Sequence, residues 1–184
     1  MKSIIISFKM LTVMSILTGA IYPALIWGYS NLFVQNKALG SLVQKKSIIV
    51  GSELIGQKFT KPSYFWSRPS AIDYNPASSG ASNLGPTSSD LKKQVDARAT
   101  FLSGSHAGVA PKDLIFASAS GLDPHISVES VNYQIPRVAK NRGISVSTLQ
   151  HLVQELTEKP QYGIFGETRI NVLKLNLALD SISP

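Results

Sequence analysis

The chain contains no cysteine, so neither a disulfide framework nor a thiolate metal site is available to it. Either side of a membrane tolerates that absence. Histidine is scarce as well: His106, His125 and His151 are the full set, and none has a second histidine four residues on to make a helical zinc pair. The phosphate-cradling motifs G-x-x-x-x-G-K-[ST] and G-x-G-x-x-G after a strand are both missing, and so is the G-x-S-x-G elbow of hydrolases. Basic residues outnumber acidic ones 18 to 11, but they are scattered. No basic stripe interleaved with aromatics marks a nucleic-acid surface, so no nucleic-acid partner is expected. Repeats and heptads are absent too.

The most telling absence is charge near the N-terminus. No charged residue lies between Met10 and Asn36, and Met10 to Tyr29 reads MLTVMSILTGAIYPALIWGY. A membrane-spanning helix needs about 20 mostly apolar residues. Tyr22, Trp27 and Tyr29 sit toward the far end, where amphipathic rings favour the interface. Gly19 and Pro23 would weaken a soluble helix but are tolerated in a spanning one. A cleaved signal peptide is the rival reading, with Lys2 and Lys9 as its positive region. The run is long for that, and no small-x-small cleavage site follows it. A retained anchor is therefore expected over residues 10–30, after an N-terminal stretch 1–9 and ahead of a domain over 37–184. Charge alone does not orient it, since Lys2 and Lys9 before the span face Lys37, Lys45 and Lys46 after it.

Beyond the anchor the patterning predicts one compact mixed α/β domain. SIIVGSELIGQKF and PSYFWSRPSA read as short strands broken by Gly51, Gly56, Pro62 and Pro69. Ser88 or Ser89 caps a helix with Leu91, Val95, Ala99 and Leu102 on one face. DLIFASASG reads as a strand running into a turn at Gly121. Ser127 caps a helix carrying Val131, Ile135, Val138 and Ala139, which Pro136 should kink or start. Arg137, Lys140 and Arg142 before Gly143 suit its C-terminal end. Ser145 caps the next, with Val146, Leu149, Val153 and Leu156 ahead of Pro160. The tail INVLKLNLALDSI fits both periods, and Asn171 as a cap tips it toward helix.

SSGASNLGPTSSDL, residues 78–91, cannot form a packed element; by composition alone it is a flexible linker. Arg68, among Tyr64, Phe65 and Trp66, reads either as an anion or partner contact with aromatic anchors, or as a core edge closed by a salt bridge. Ser118 or Ser120 with His125 and an aspartate would make a hydrolase triad, giving the alternative of a membrane-tethered extracytoplasmic hydrolase. Against it, Asp123-Pro124 reads as a simple turn beside a surface or lightly buried His125. A structural stalk or adhesin is a third option.

GSELIGQKF, YFWSRPSA, ASSGASNLGP, ASASGLDPHIS, QIPRVAKNRG and NVLKLNLALD, in this order, resemble the C-subunit family (KdpC) of the Kdp potassium-transporting P-type ATPase, over nearly the whole chain. Ala81 departs from the family, which usually has a second glycine there; its Cβ disfavours a positive φ. The resemblance implies that the 78–91 loop is an ordered part of the domain. It implies an ATP-driven potassium-uptake complex in the cytoplasmic membrane: a potassium-conducting A subunit, an ATPase B subunit and a small F subunit. The C subunit would be a non-catalytic catalytic chaperone that raises the ATPase subunit's affinity for ATP. That residues 1–9 are cytoplasmic and 37–184 extracytoplasmic is implied only by this resemblance. ATP enters by family resemblance only, and no cofactor or metal is assigned to the chain itself. A domain outside cannot touch cytoplasmic ATP, so a long-range or assembly role is the simpler one. The chain lacks the D-K-T-G-T of the phosphorylated aspartate.

Two surfaces remain as partner contacts. Ser15, Thr18 and Gly19 fall at i, i+3 and i+4 of the anchor, where small residues let helices pack closely in lipid. The loop-rich face bears Tyr64, Phe65, Arg68, Asn83 and Gly85.

Overall fold

The computed structural model describes residues 2–104 and 108–182, as two compact units divided in sequence at Leu42. The first is an apolar helical run, Lys2–Phe33, 32 residues with a mean hydropathy of 2.0 over its most apolar window and none of that window buried. It comprises α1 (Lys2–Ile16), one widened turn (Leu17–Ile21) and α2 (Tyr22–Phe33), with a short α3 (Gln35–Ala38) after it. The helix begins well before residue 10, because Lys2 and Lys9 extend it without interrupting its hydrogen bonds. In the widened turn the Tyr22 N–H bonds to the Leu17 carbonyl, five residues back rather than four. Pro23 supplies the reason. Its ring has no N–H to give and clashes with the carbonyl four residues earlier, that of Gly19, so the ladder re-pairs around it.

The second unit opens with a hairpin of β1 (Leu42–Lys45) and β2 (Ile48–Ser52), turned through Lys46 and Ser47 at φ +51° and +65°. Strand β2 runs through Gly51, which was expected to break it; the side chain of Gln57 fills the space a Cβ there would occupy, its amide bonded to the Val50 carbonyl. Then come α4 (Ser89–Ser103), α5 (Lys112–Ile115), β3 (His125–Ser127), α6 (Val128–Arg142), α7 (Val146–Leu156), β4 (Arg169–Asn171) and α8 (Val172–Ile182). Antiparallel β3 and β4 pair His125 with Asn171 and Ser127 with Arg169.

Helices carry most of this domain. The apolar faces of α6 (Val131, Ile135, Val138), α7 (Leu149, Val153) and α8 (Leu175, Leu179) close over Ile126 and Ile170 of the small sheet, with Phe65 among them. Caps fall where short hydroxyl and amide side chains stand. Ser88, Ser127, Ser145 and Asn171 each accept the backbone N–H three residues on. Gly143 ends α6 in the left-handed conformation, φ +67°.

Three expectations are corrected. The span PSYFWSRPSA has no regular strand; it is an irregular extended ribbon whose backbone partners are side chains, described below. DLIFASASG forms the single helical turn α5 and then bends, because Pro111 sets a helical start and Arg98 Nη1 takes the Ile115 carbonyl that a strand would need. Pro136 does not start α6, which begins eight residues earlier behind the Ser127 cap and runs through it.

Candidate functional site

Along the apolar helix, Ser15, Thr18 and Gly19 are all exposed, and the widened turn begins within the trio. The Thr18 hydroxyl donates to the Met14 carbonyl at 2.7 Å, which satisfies it inside its own helix. A Cβ added at Gly19 would meet nothing within 4 Å. The notch is open to whatever surrounds the helix.

The ribbon Lys61–Arg68 is pinned by side chains of α6 and α8. Asn176 of α8 bonds both backbone groups of Phe65: its Oδ1 accepts from the N–H at 2.9 Å and its Nδ2 donates to the carbonyl at 3.0 Å. Gln134 of α6 treats Trp66 the same way, at 2.7 and 3.2 Å. Arg137 donates to the carbonyls of Pro62 and Tyr64, and Arg142 to that of Ser63 at 2.9 Å. Two buried amides and two guanidinium groups thus do for this ribbon what a neighbouring strand would do in a sheet.

Charge is drawn into the arrangement. The Arg137 guanidinium lies 3.6 Å over the Trp66 ring, whose stacking partner is Phe101 at 5.4 Å. Burial pulls Arg137 down to about 10, since water no longer stabilises its charge. Asp180 of α8 gathers Lys45 at 2.9 Å, Arg142 at 2.7 Å and the Tyr64 hydroxyl at 3.0 Å. Burial alone would raise the Asp180 carboxyl; the hydrogen bonds from Lys45, Arg142 and Tyr64 outweigh it and hold the group below the usual carboxylate range.

Arg68 closes a salt bridge to Asp123 at 3.0 Å, the pairing that the core-edge reading of the sequence calls for. Tyr74 donates its hydroxyl to the Arg68 carbonyl, and burial pushes that phenol up to about 12. Asp123 also accepts the His125 N–H at 2.9 Å, which is the turn expected of Asp-Pro. A cleft of about 230 Å³ opens here, lined by Arg68, Asp113, Asp123, His125, Glu167 and Arg169. His125 faces carboxylates and neither candidate serine. Ser118 and Ser120 bond each other at 3.2 Å and accept from the N–H groups of Gly121 and Leu122, so their hydroxyls shape a turn.

The 78–91 loop docks on that turn. Gly80 N–H and the Ser79 hydroxyl both donate to the Ser120 carbonyl, at 2.9 and 3.1 Å. Gly121, at φ +69°, leaves no room for a Cβ, which would stand 2.9 Å from the Gly80 carbonyl and 2.5 Å from Ile72. Ala81 avoids positive φ; that conformation falls instead on Asn83, at +53°.

The predicted contact residues therefore separate. Phe65 is fully buried in the core and supports the surface from behind. Tyr64 is half-buried against Asp180, and Arg68 is half-buried against Asp123. Of the candidates on the loop-rich face, Asn83 and Gly85 are the two that stand out in solvent. Sequence reasoning passed over Gln134 and Asn176. The signal was there: each is a polar residue inside an apolar stripe, Gln134 between Val131 and Val138, Asn176 between Leu173 and Leu179.

Comparison with known proteins adds a second line of evidence. The family model "KdpC: K+-transporting ATPase, c chain" matches residues 4–181. A potassium-transporting ATPase KdpC subunit of Geobacter sulfurreducens is 48% identical over 189 residues, covering all of both chains. The Geobacter metallireducens subunit is 48% identical, covering 97% of each. That of Polaromonas naphthalenivorans is 47% identical, over 94% of this chain and 91% of its own.

Proposed function

The chain belongs to the KdpC family, the c chain of potassium-transporting ATPases, and on that footing we propose that it is the accessory subunit that holds such a pump together. In this reading it does no chemistry of its own. Its apolar helix crosses the cytoplasmic membrane and packs on the potassium-conducting A subunit through the notch at Ser15, Thr18 and Gly19. Its folded domain lies outside the membrane, and the ATPase B subunit and the small F subunit complete the assembly. Raised ATP affinity in the B subunit then follows from assembly, with no contact between this chain and ATP. One observation carries the proposal: the family match runs through the exposed apolar helix and the pinned domain alike, from residue 4 to residue 181.

Gene deletion tests it. The deleted strain should stop growing at micromolar potassium while the other subunits are still made, and the full chain supplied in trans should restore growth. Normal growth of the deletion strain would overturn the proposal. An unchanged KM for ATP in the complex lacking this chain would remove the chaperone role alone.

A further inference from the structure

Residues 158–169 leave the core as a long hairpin. Its base is the paired backbone of Glu158 and Arg169, with hydrogen bonds of 2.9 and 3.0 Å, and Gln161 and Phe165 pair again nearer the tip. Tyr162, Ile164 and Phe165 at the tip are 92%, 78% and 67% exposed. Under the base lies the imidazole of His125, from β3, with a carboxylate on each side. Nδ1 is 3.7 Å from Asp123 Oδ1, and Nε2 is 3.5 Å from Glu158 Oε2. A neutral imidazole carries one N–H and can serve only one of them; the imidazolium serves both.

We propose that His125 is a proton-operated clasp that fastens the 158–169 hairpin to the β3–β4 sheet. Protonation bridges Asp123, fixed next to β3, to Glu158, which belongs to the hairpin. The other charged groups around the joint are Arg68, bound to Asp123, and Arg169 and Lys174, at 3.2 and 3.7 Å from Glu158. Glu53 shares Lys174 at 2.8 Å, and Asp113 and Glu167 line the adjoining cleft. Asp123 stays ionised as the histidine charges: burial would raise its carboxyl, but hydrogen bonds from His125 and Arg68 hold it low. The clasp is thus shut while the imidazole holds both its protons and opens when one is lost. With the clasp open, Glu158 keeps, among the described residues, only Arg169 and Lys174, whose side chains are 56% and 38% exposed and correspondingly weak holds.

Amide hydrogen exchange on the full chain in detergent, corrected for the intrinsic pH dependence of exchange, reads the clasp directly. Raising the pH from about 5.5 to about 7.5 should cut protection of the Glu158 and Arg169 amides about threefold, the scale of a partly exposed ion pair. His125→Gln should abolish that slope, and His151→Gln should keep it. Glu158→Gln lowers protection at every pH because Arg169 and Lys174 lose their partner too, but it should also flatten the slope; it decides the matter if His125→Gln does not fold. A wild-type profile without pH dependence, or a slope that survives either substitution at the joint, overturns the proposal.

Discussion

Asn176 is the residue on which the domain leans most. Both its amide atoms serve the buried backbone of Phe65, and leucine in its place would leave a donor and an acceptor stranded. An unsatisfied buried group costs about 1–3 kcal/mol, so Asn176→Leu should destabilise the domain by roughly 2–4 kcal/mol, despite making α8 more apolar. A melt of the detergent-solubilised chain checks this, with a drop of about 2–4 °C expected per kcal/mol for a domain of this size. An unchanged melting temperature would mean that water reaches the ribbon. Asp180 gives the pH counterpart. Its folded value lies below its unfolded one, so its stabilisation is present above the ordinary carboxylate range and drains away as pH falls through the folded value. Asp180→Asn should lower stability at neutral pH and flatten the acid limb of a stability–pH curve. A variant with the wild-type acid limb would assign that slope to other carboxylates.

At the scale of elements, what could be read in advance was whatever one segment decides by itself. Four caps, the Gly143 stop and the stripes of α4, α6 and α7 depend on residues three or four apart. They fall where the spacing puts them, except Val146, which is exposed in the first turn of α7. The α8 stretch fits both periods, and only the Asn171 cap tips it to helix. The ribbon was not legible as such. Its aromatics and prolines look like a broken strand, and only residues some 70 to 110 positions away show that its hydrogen bonds are met by side chains. Phe65 stood among the candidate contacts for the same reason: alternation in YFWSR cannot say that it points into a core built from α6, α7 and α8. The widened turn belongs here too. Because a Cβ at Gly19 meets no other described residue within 4 Å, Gly19→Leu should leave the subunit's own fold intact. Its effect should appear only in the complex, as a loss of co-purified conducting subunit after detergent extraction. Leu25→Ile is the control. Full recovery of the complex with Gly19→Leu would make the helix a tether and leave assembly to the folded domain.

For the whole molecule the prediction concerns the side of the membrane on which residues 43–184 fold. Lysines flank the apolar helix almost evenly, so the charge rule gives no strong push. The proposal places the domain outside, and a reporter active only there, fused after the last residue, should be active; activity from a cytoplasm-only reporter would reverse the assignment. The pinning described above also sets a timetable for biosynthesis. Asn176 closes on Phe65 across 111 residues and Asp180 on Lys45 across 135, so the early half of the domain waits for its last helix. At about 5–20 residues per second, a nascent chain spends several seconds with the Lys61–Arg68 ribbon bare. A chain cut short before Asn176 therefore leaves both backbone groups of Phe65 without the amide that serves them.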